Sequence, residues 1–434
     1  MPKLTSKELK FALLISSAHG MQHFFLRLLP PLIPLLAIQT GLPLWKLGLL
    51  ITSQYIGSAL GQTPAGIISD KYDRRLFLPC GIALAGIGYA LLLFTPAFDE
   101  SIIYFFGEAF PIKFIFMSFA LFVNGIGMSV VHPTGYPIIS SNVRAEVKGK
   151  FFGMWGSASK LGDAIGPAIL GIFFLFFVWT DILLFLGIIG VTYAIILYIA
   201  LGNYDTSPPT ALPTTTSANS KTSSAIPLPP RKKYLYPLLS VFIFFATYSF
   251  VATGVLAFLP EFIIREYAYT LQIGSLLITP ESTASFYLAS LLFIGGVAQL
   301  ITGELVDRYD ARKVITVFVI VSGLFILLFS ALSLSPILLF IVLGAMGISF
   351  WGISPARDSL LSNITPPERE GRTFGYVWTG IFIFSSFSPI IIGYIGDTLG
   401  LRFGFQILAV LTLLSILPIL FLFSRYTDLT PNNN

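Results

Sequence analysis

Twelve stretches of this 434-residue chain are long enough and apolar enough to cross a lipid bilayer as α-helices. A crossing helix needs about 20 mostly apolar residues, and its backbone must bond to itself because the bilayer interior offers no water. Only 11% of the residues are charged, against roughly a quarter in soluble proteins. The sequence therefore predicts an all-α membrane protein with twelve transmembrane helices, near residues 11–39, 44–69, 76–95, 113–141, 150–178, 182–201, 236–260, 284–304, 314–334, 336–362, 372–396 and 402–423.

The longest gap between these runs, 202–235, divides the twelve predicted helices into two groups of six. It is rich in Pro, Ser and Thr and is too polar to form a packed core. We predict an N-terminal six-helix bundle over 1–201, a cytoplasmic linker over 202–235 and a C-terminal six-helix bundle over 236–434.

Lysine and arginine predict the orientation, because cytoplasmic loops carry an excess of both. With a cytoplasmic N-terminus, nineteen of the 26 basic residues fall in cytoplasmic segments. We therefore expect a multi-pass protein of the plasma membrane with both termini in the cytoplasm. The basic residues lie in short loops without forming a continuous basic face, which argues against nucleic acid as a partner. We expect a monomer whose partners are the lipid bilayer and a small-molecule substrate.

Two sequence segments occur twice, at corresponding places in the two halves. Residues 66–75 join helices 2 and 3, and residues 303–313 repeat them between helices 8 and 9 with one residue inserted. A second pair follows helices 4 and 10, where Ser141-Asn142 and Phe152-Gly153 correspond to Ser362-Asn363 and Phe374-Gly375. Two matches in the same order indicate duplication, so the bundles are predicted to be pseudo-symmetric.

These segments resemble the loop signature of the major facilitator superfamily, and the resemblance covers essentially the whole chain. It implies two six-helix bundles that alternate access to a central cavity, lined by helices 1, 4, 7 and 10. It also implies that the charged loops form a cytoplasmic gate. Asp73 and Asp310 depart from the signature, which usually has glycine there. The gate candidates are Gly66, Asp70, Lys71, Arg74, Arg75, Gly303, Asp307, Arg308 and Arg312.

Three further segments resemble particular branches of that superfamily. Residues 131–136 and 354–358 look like the branch that includes fosmidomycin-resistance exporters. Residues 162–167 are similar to the glycine-proline motif in helix 5 of drug:proton antiporters, although glycine spacing alone mostly reports tight helix packing. These resemblances favour proton-coupled efflux of a drug or metabolite.

Ionisable residues at bilayer depth are costly and indicate functional sites. His19, His23 and Arg27 recur at every fourth position of helix 1, so they share one face. Arg27 could hold a substrate carboxylate or phosphate, or it could pair with an acid on another helix. The two histidines could titrate near neutral pH in proton coupling, or they could only form hydrogen bonds.

Helices 4, 5 and 10 carry the remaining buried charges and a third histidine. Lys160 and Asp163 lie three residues apart on helix 5, where Asp163 could carry a proton or form a fixed pair with Lys160. Arg357 and Asp358 could be gate partners or substrate ligands. The prolines beside His132 and Arg357 are predicted to kink helices 4 and 10. The candidates for substrate binding or proton coupling are His19, His23, Arg27, His132, Lys160, Asp163, Arg357 and Asp358.

Several classes of function are excluded by what the sequence lacks. We find no residues with the spacing of a catalytic site, so we predict that the protein has no catalytic residues and is not an enzyme. The single cysteine, Cys80, permits no disulfide or cysteine-based metal site, and no metal site is predicted. A phosphate-binding loop is absent, so we expect the proton gradient rather than ATP as the energy source, without a cofactor. Two modes of transport remain: proton-coupled efflux of a small organic compound and proton-coupled uptake of an organic anion.

Overall fold

The structure, a computed structural model, describes residues 4–98, 101–207, 231–365 and 370–425. Most of the predicted linker lies outside these residues, so the domain division stays a prediction. The helices are α1 (Ser6–Leu26 and Leu29–Thr40), α2 (Leu44–Ser69), α3 (Arg74–Leu91), α4 (Ile112–Ser129 and Val131–Asn142), α5 (Lys148–Phe176), α6 (Trp179–Leu201), α7 (Arg231–Glu266), α8 (Pro280–Arg308), α9 (Ala311–Ala331), α10 (Pro336–Gly352 and Ser354–Ile364), α11 (Glu370–Ser386 and Ser388–Thr398) and α12 (Leu401–Leu414 and Ile416–Arg425).

Eleven helical segments of the described chain are long and apolar enough to span a membrane, which agrees with the predicted all-α membrane fold. The remaining predicted span is α2, which has 26 residues and thus sufficient length. Its mean hydropathy is lowered by polar residues such as Ser53, Gln54, Ser58 and Gln62. Four α2 positions, including Ser58 and Gln62, face the central cavity, so this helix does not need a fully apolar surface.

Five of the helices are interrupted, and each break lies two or three residues before a proline. The prolines are Pro30 in α1, Pro133 in α4, Pro355 in α10, Pro389 in α11 and Pro418 in α12. A proline has no N–H to donate, and its ring clashes with the carbonyl of the preceding turn. The kinks that the sequence predicted in α4 and α10 are therefore present, at Val130 and Ile353.

The helices pair in the same way in the two halves. In the first half, α1 packs on α5, α2 on α4 and α3 on α6; in the second half, α7 packs on α11, α8 on α10 and α9 on α12. Each helix of the second half therefore packs on the partner equivalent to that of the helix six places earlier in the chain, as duplication requires. The fold is thus two pseudo-symmetric six-helix bundles, in agreement with the sequence.

The bundles meet through α2 with α11 and through α5 with α8. We call the membrane face that carries both ends of the described chain the terminal face and the other the opposite face. Close contacts between the bundles lie toward the opposite face, where a Cβ placed on Gly48 would be only 2.3 Å from the Pro389 carbonyl oxygen. Asp397, at the end of α11, accepts hydrogen bonds from the backbone N–H groups of Leu44 and Trp45, each at 2.9 Å. The two halves are therefore joined at the opposite face.

Two short antiparallel hairpins interrupt the helical pattern and were not predicted. Ile102–Phe105 (β1) pairs with Glu108–Pro111 (β2) between α3 and α4. Leu271–Ile273 (β3) pairs with Leu276–Ile278 (β4) between α7 and α8. Both hairpins lie outside the spanning helices, at the opposite face.

Candidate functional site

A cavity of about 390 Å³ lies between the two bundles. This volume falls in the range of sites that hold small organic molecules. Its described lining comes from α1, α2, α4 and α5 in the first half and from α7, α10 and α11 in the second. The predicted cavity helices 1, 4, 7 and 10 all contribute, whereas no described residue of α3, α6, α9 or α12 does.

Asp163 is the centre of a buried charge network in the first half. Its carboxylate is 1% exposed, and its Oδ1 accepts a hydrogen bond from Arg27 Nε at 2.7 Å. The same oxygen lies 3.0 Å from His23 Nδ1. Lys160 Nζ approaches the other oxygen, Oδ2, at 3.7 Å. Three basic side chains thus surround one carboxylate, and the role of Asp163 as a proton carrier stays a prediction.

The packing of α1 on α5 positions this network. A Cβ placed on Gly162 would lie 2.0 Å from the Gly20 carbonyl oxygen, so glycine is required for the two backbones to approach this closely. His23 and Arg27 follow Gly20 along the same face of α1, and Asp163 directly follows Gly162. Arg27 occupies the break between the two parts of α1, and Tyr55 of α2 lies beside it. The close contact therefore brings the basic side chains of His23 and Arg27 on α1 to the carboxylate of Asp163 on α5.

Lys160 lies at the boundary between the two bundles. Its Cβ would be 3.0 Å from a Cβ placed on Gly296 of α8, so its stem packs against the second half while its amine approaches Asp163. Lys160 therefore contacts both bundles, and its role in substrate binding or proton coupling stays a prediction.

Arg357 supplies the charge of the second half. Its Nε donates to Asp358 Oδ1 at 2.9 Å, and its guanidinium lies over the rings of Trp378 at 4.6 Å and Phe245 at 5.2 Å. Arg357 lines the cavity, whereas Asp358 is about half exposed. The arginine therefore faces the cavity, and its two predicted roles, gate partner and substrate ligand, both remain open.

All three histidines of the chain lie together beside the Asp163 network. His19 Nδ1 lies 2.8 Å from the Trp155 carbonyl oxygen, and the His19 ring stacks on the Trp155 indole at 4.3 Å. The rings of His23 and His132 each lie 4.8 Å from that of His19. The sequence placed His19 and His23 on one face of helix 1, but it did not predict that His132 of helix 4 joins them.

The predicted gate residues of the first half bond within that half and to the first residues of the predicted linker. Arg74 is buried; its Nε donates to Ser69 Oγ at 3.0 Å and its Nη1 donates to the Ser207 carbonyl at 2.7 Å. Its Nη2 lies 3.8 Å from Asp70, whose side chain is 70% exposed. Arg75 Nε donates to the Tyr198 carbonyl. Lys71 is exposed, and Gly66 would tolerate a Cβ, which would meet only Pro133 at 3.8 Å.

In the second half, Arg312 is buried and bonds to Asp310 at 2.7 Å, while Arg308 forms an exposed pair with Glu304 at 3.8 Å. A Cβ on Gly303 would contact nothing within 4 Å, and the side chain of Asp307 lies outside the described part of the chain. The ion pairs of Arg74 with Asp70, Arg308 with Glu304 and Arg312 with Asp310 each stay within one bundle, so the gating role remains a prediction.

Asp73 and Asp310, which replace the usual glycine of the loop signature, each begin a helix. Asp73 accepts a hydrogen bond from the Arg75 N–H at 2.9 Å, and Asp310 accepts one from the Arg312 N–H at 2.8 Å. Burial acts to raise the pKa of Asp310, but the hydrogen bonds from Arg312 hold that pKa below its ordinary value. The departure from glycine is therefore explained by N-capping of α3 and α9.

The bundles separate toward the terminal face. A Cβ on Gly171 of α5 would lie 2.9 Å from the Phe286 ring of α8, near the opposite face. Closer to the terminal face, a crevice of about 440 Å³ separates α5 from α8. Cβ atoms placed on Gly153 and Gly156 would meet nothing within 4 Å. The cavity is thus open on the terminal face and closed on the opposite face.

The pattern of ionisable residues did not identify α2 and α11 as cavity helices, although Trp378 of α11 was a candidate lining aromatic. Tyr55 and Gln62 of α2 and Trp378 and Ser385 of α11 line it. For α2 the sequence did contain a signal, because this helix is the least apolar of the predicted spans. It was not recognised because only ionisable residues were used to identify the cavity helices.

The comparisons with known sequences agree on one family. A sequence model described as Major Facilitator Superfamily matches residues 15–280 and 273–434. An uncharacterized MFS-type transporter of Methanocaldococcus jannaschii is 24% identical over 88% of this chain and 90% of its own length. A probable L-galactonate transporter of Escherichia coli is 24% identical over 83% of this chain and 77% of its own. The 4-hydroxybenzoate transporter PcaK of Pseudomonas aeruginosa is 24% identical over 88% and 84%, respectively.

Solved structures with the same fold extend over nearly the whole chain. A bacterial homolog of the human lysosomal transporter Spinster, in an inward-facing and occupied conformation, superposes with a TM-score of 0.76 at 13% identity and covers 100% of both chains. A D-xylose-proton symporter superposes with a TM-score of 0.75 at 14% identity, covering 95% of this chain and 97% of its own. At these identities the similarity establishes the fold.

Proposed function

The chain belongs to the Major Facilitator Superfamily, and from that premise we propose that it transports a small organic anion by alternating access to the cavity between its bundles. The single observation that carries this proposal is the charge of the cavity region. Arg27, Lys160 and Arg357 are three basic side chains, whereas Asp163 and Asp358 are two acidic ones. The cavity therefore has a surplus of positive charge that a substrate anion would neutralise.

The placement of the three cations suits a carboxylate. Arg27 and Lys160 belong to the first bundle and Arg357 to the second, and all three line the same cavity. An arginine offers five N–H donors, and Arg27 uses its Nε for Asp163, so further donors can serve a ligand. An anion held between the bundles would draw them together, which is the differential interaction that a conformational change requires.

Aromatic side chains supply the apolar part of the site. Tyr248, Trp351 and Trp378 line the cavity on the side of the second bundle. Such surfaces favour a ligand with a flat or apolar body in addition to its charge. Two relatives are named as transporters of L-galactonate and of 4-hydroxybenzoate, both carboxylates, which supports an organic acid as the substrate class.

The direction and energy source of transport are part of the proposal. From the distribution of lysine and arginine we propose that the terminal face is cytoplasmic, so the cavity opens toward the cytoplasm. We propose proton coupling and, given the charge of the cavity, uptake of the anion. Two resemblances favour efflux, that of residues 131–136 and 354–358 to an exporter branch and that of the glycine-proline motif of α5. Gly162 in that motif packs on α1 and so has a structural explanation.

Transport by purified protein in liposomes tests this function. With an inward proton gradient, we expect accumulation of radiolabelled carboxylates such as 4-hydroxybenzoate or L-galactonate. Arg27→Gln should weaken apparent affinity at least roughly tenfold, because a hydrogen bond to a charged group contributes about 1.5–3 kcal/mol. Arg402→Gln is the matched control, since Arg402 bonds to Glu266 away from the cavity.

Two results would contradict the proposal. One is transport of lipophilic cations or neutral drugs without transport of any carboxylate. The other is equal carboxylate transport by wild-type protein and Arg27→Gln. Accumulation only under an outward proton gradient would overturn the direction while leaving the substrate class intact.

A further inference from the structure

The three histidines form a cluster that anion transport does not explain. His19 and His23 come from α1 and His132 from the second part of α4. One ring nitrogen of each lies within 4.8 Å of the other two. Imidazole nitrogens are the preferred protein ligands of zinc and of related transition metals. The question is whether their lone pairs are available and directed at one another.

The hydrogen bond of His19 determines which nitrogen is available. Its Nδ1 lies 2.8 Å from the Trp155 carbonyl oxygen, and a carbonyl can only accept, so Nδ1 carries the proton. Its Nε2 then carries no proton and presents a lone pair. Among the described residues this buried atom has no hydrogen-bond partner. A buried acceptor without a partner is costly, which indicates that something else occupies that direction.

His23 has the same arrangement with a carboxylate in place of the carbonyl. Its Nδ1 lies 3.0 Å from Asp163 Oδ1, an oxygen that also accepts from Arg27 Nε at 2.7 Å. An ionised carboxylate only accepts, so Nδ1 of His23 donates and its Nε2 presents a lone pair. Metal-binding histidines usually donate their second nitrogen to a carbonyl or a carboxylate, which fixes the ring and raises its basicity. His19 and His23 show one example of each.

The third histidine is free to complete the set. In the described part of the chain His132 makes ring contacts but no hydrogen bond, with its ring 4.8 Å from His19 and 5.8 Å from Tyr136. It lies just after the break in α4. Tetrahedral zinc would place its nitrogen ligands about 3.3 Å apart, given Zn–N bonds of about 2.0–2.1 Å. The three nitrogens, now within 4.8 Å of one another, would have to move closer together on binding the ion.

We propose that His19, His23 and His132 bind a divalent transition-metal ion such as Zn²⁺ or Co²⁺ in the wall of the cavity. Asp163 and the Trp155 carbonyl orient the two rings of α1. His23 and His132 line the cavity, so the remaining coordination position faces it and is open to water or to an anionic ligand. This site does not depend on the identity of the transported solute, and it can be tested without transport.

The composition of the chain makes the test specific. These are its only three histidines, and Cys80 is its only thiol. Purified protein without a polyhistidine tag should bind one Co²⁺ per chain, with the visible d–d absorption of a tetrahedral or five-coordinate site. His19→Gln, His23→Gln and His132→Gln should each weaken binding at least roughly tenfold. Cys80→Ser, the matched control, should bind Co²⁺ as wild-type protein does.

Wild-type protein alone also provides a decisive measurement, should a variant fail to fold. X-ray absorption of the Co²⁺-loaded protein should show a first shell with three imidazoles, and saturating Zn²⁺ should raise the temperature of unfolding. Absence of stoichiometric binding, a first shell without imidazole, or unchanged binding in all three histidine variants would each overturn the proposal.

Discussion

At the scale of single residues, the central feature is one buried carboxylate that serves two bases of α1. Asp163 accepts from Arg27 and contacts His23, while Lys160 approaches its second oxygen. Removal of one partner from a buried ion pair leaves an uncompensated charge, whereas removal of both can be nearly neutral. The network is therefore expected to behave as a unit.

A double-mutant cycle tests that expectation. Asp163→Asn should lower the free energy of unfolding by about 3–5 kcal/mol, because Arg27 and Lys160 then face each other without a counter-charge. The double variant Arg27→Gln with Asp163→Asn should lose less than the sum of the two single losses. Unfolding in mixed micelles with sodium dodecyl sulphate measures the difference. Strict additivity of the two substitutions would show that the side chains do not interact.

The residues of this site could be predicted only in part, and the reason is geometric. The four-residue spacing placed His19, His23 and Arg27 on one face of a helix, and the structure shows two of them on Asp163. Periodicity cannot tell which helices face each other. The approach of His132 from α4 and of Tyr55 from α2 was therefore outside the reach of the sequence.

At the scale of elements, prolines determine where the helices bend. α10 breaks at Ile353, two residues before Pro355, and its second part carries Arg357 into the cavity. The sequence predicted the bounds of most spans to within a few residues, because apolar runs and prolines are local signals. The two hairpins were missed because short strands outside the membrane have no comparable signal.

Replacement of Pro355 tests the role of the break. Pro355→Ala restores a backbone donor and permits α10 to continue as one helix. We expect the maximal transport rate to fall about tenfold, equivalent to about 1.4 kcal/mol in the barrier, while KM changes little. Pro336→Ala is the matched control, because Pro336 lies in the first turn of α10, where proline does not disturb the helix. A rate unchanged by Pro355→Ala would exclude the break as a working hinge.

At the scale of the whole molecule, the two bundles are held together at one face and apart at the other. Asp397 of the second bundle bonds to two free N–H groups in the first turn of α2, in the first bundle. This is an N-terminal cap that crosses the boundary between the halves. The pseudo-symmetric pairing was predictable from the internal repeat, whereas the open face is a property of one conformation and leaves no mark in the sequence.

Loss of that cap should shift the balance between conformations. Asp397→Ala removes about 1 kcal/mol from the closed opposite face, which corresponds to a population change of roughly fivefold. Spin labels at Tyr72 and Tyr309, both exposed at the terminal face, report the distance between the bundles there. Double electron–electron resonance should show more of the short distance in Asp397→Ala. Asp181→Ala, in the first turn of α6, should leave the distribution unchanged.

The surplus of positive charge in the cavity is the basis of the proposed function. The most direct test of this function is to measure whether the protein binds small anions more tightly than neutral analogues. Affinities of purified protein should be measured for a panel of small carboxylates and for the matching amides, for example 4-hydroxybenzoate against 4-hydroxybenzamide. We predict that a carboxylate binds at least roughly tenfold more tightly than its amide, and that Arg27→Gln removes this preference. Binding of the neutral amides or of cationic compounds in preference to every carboxylate would contradict it.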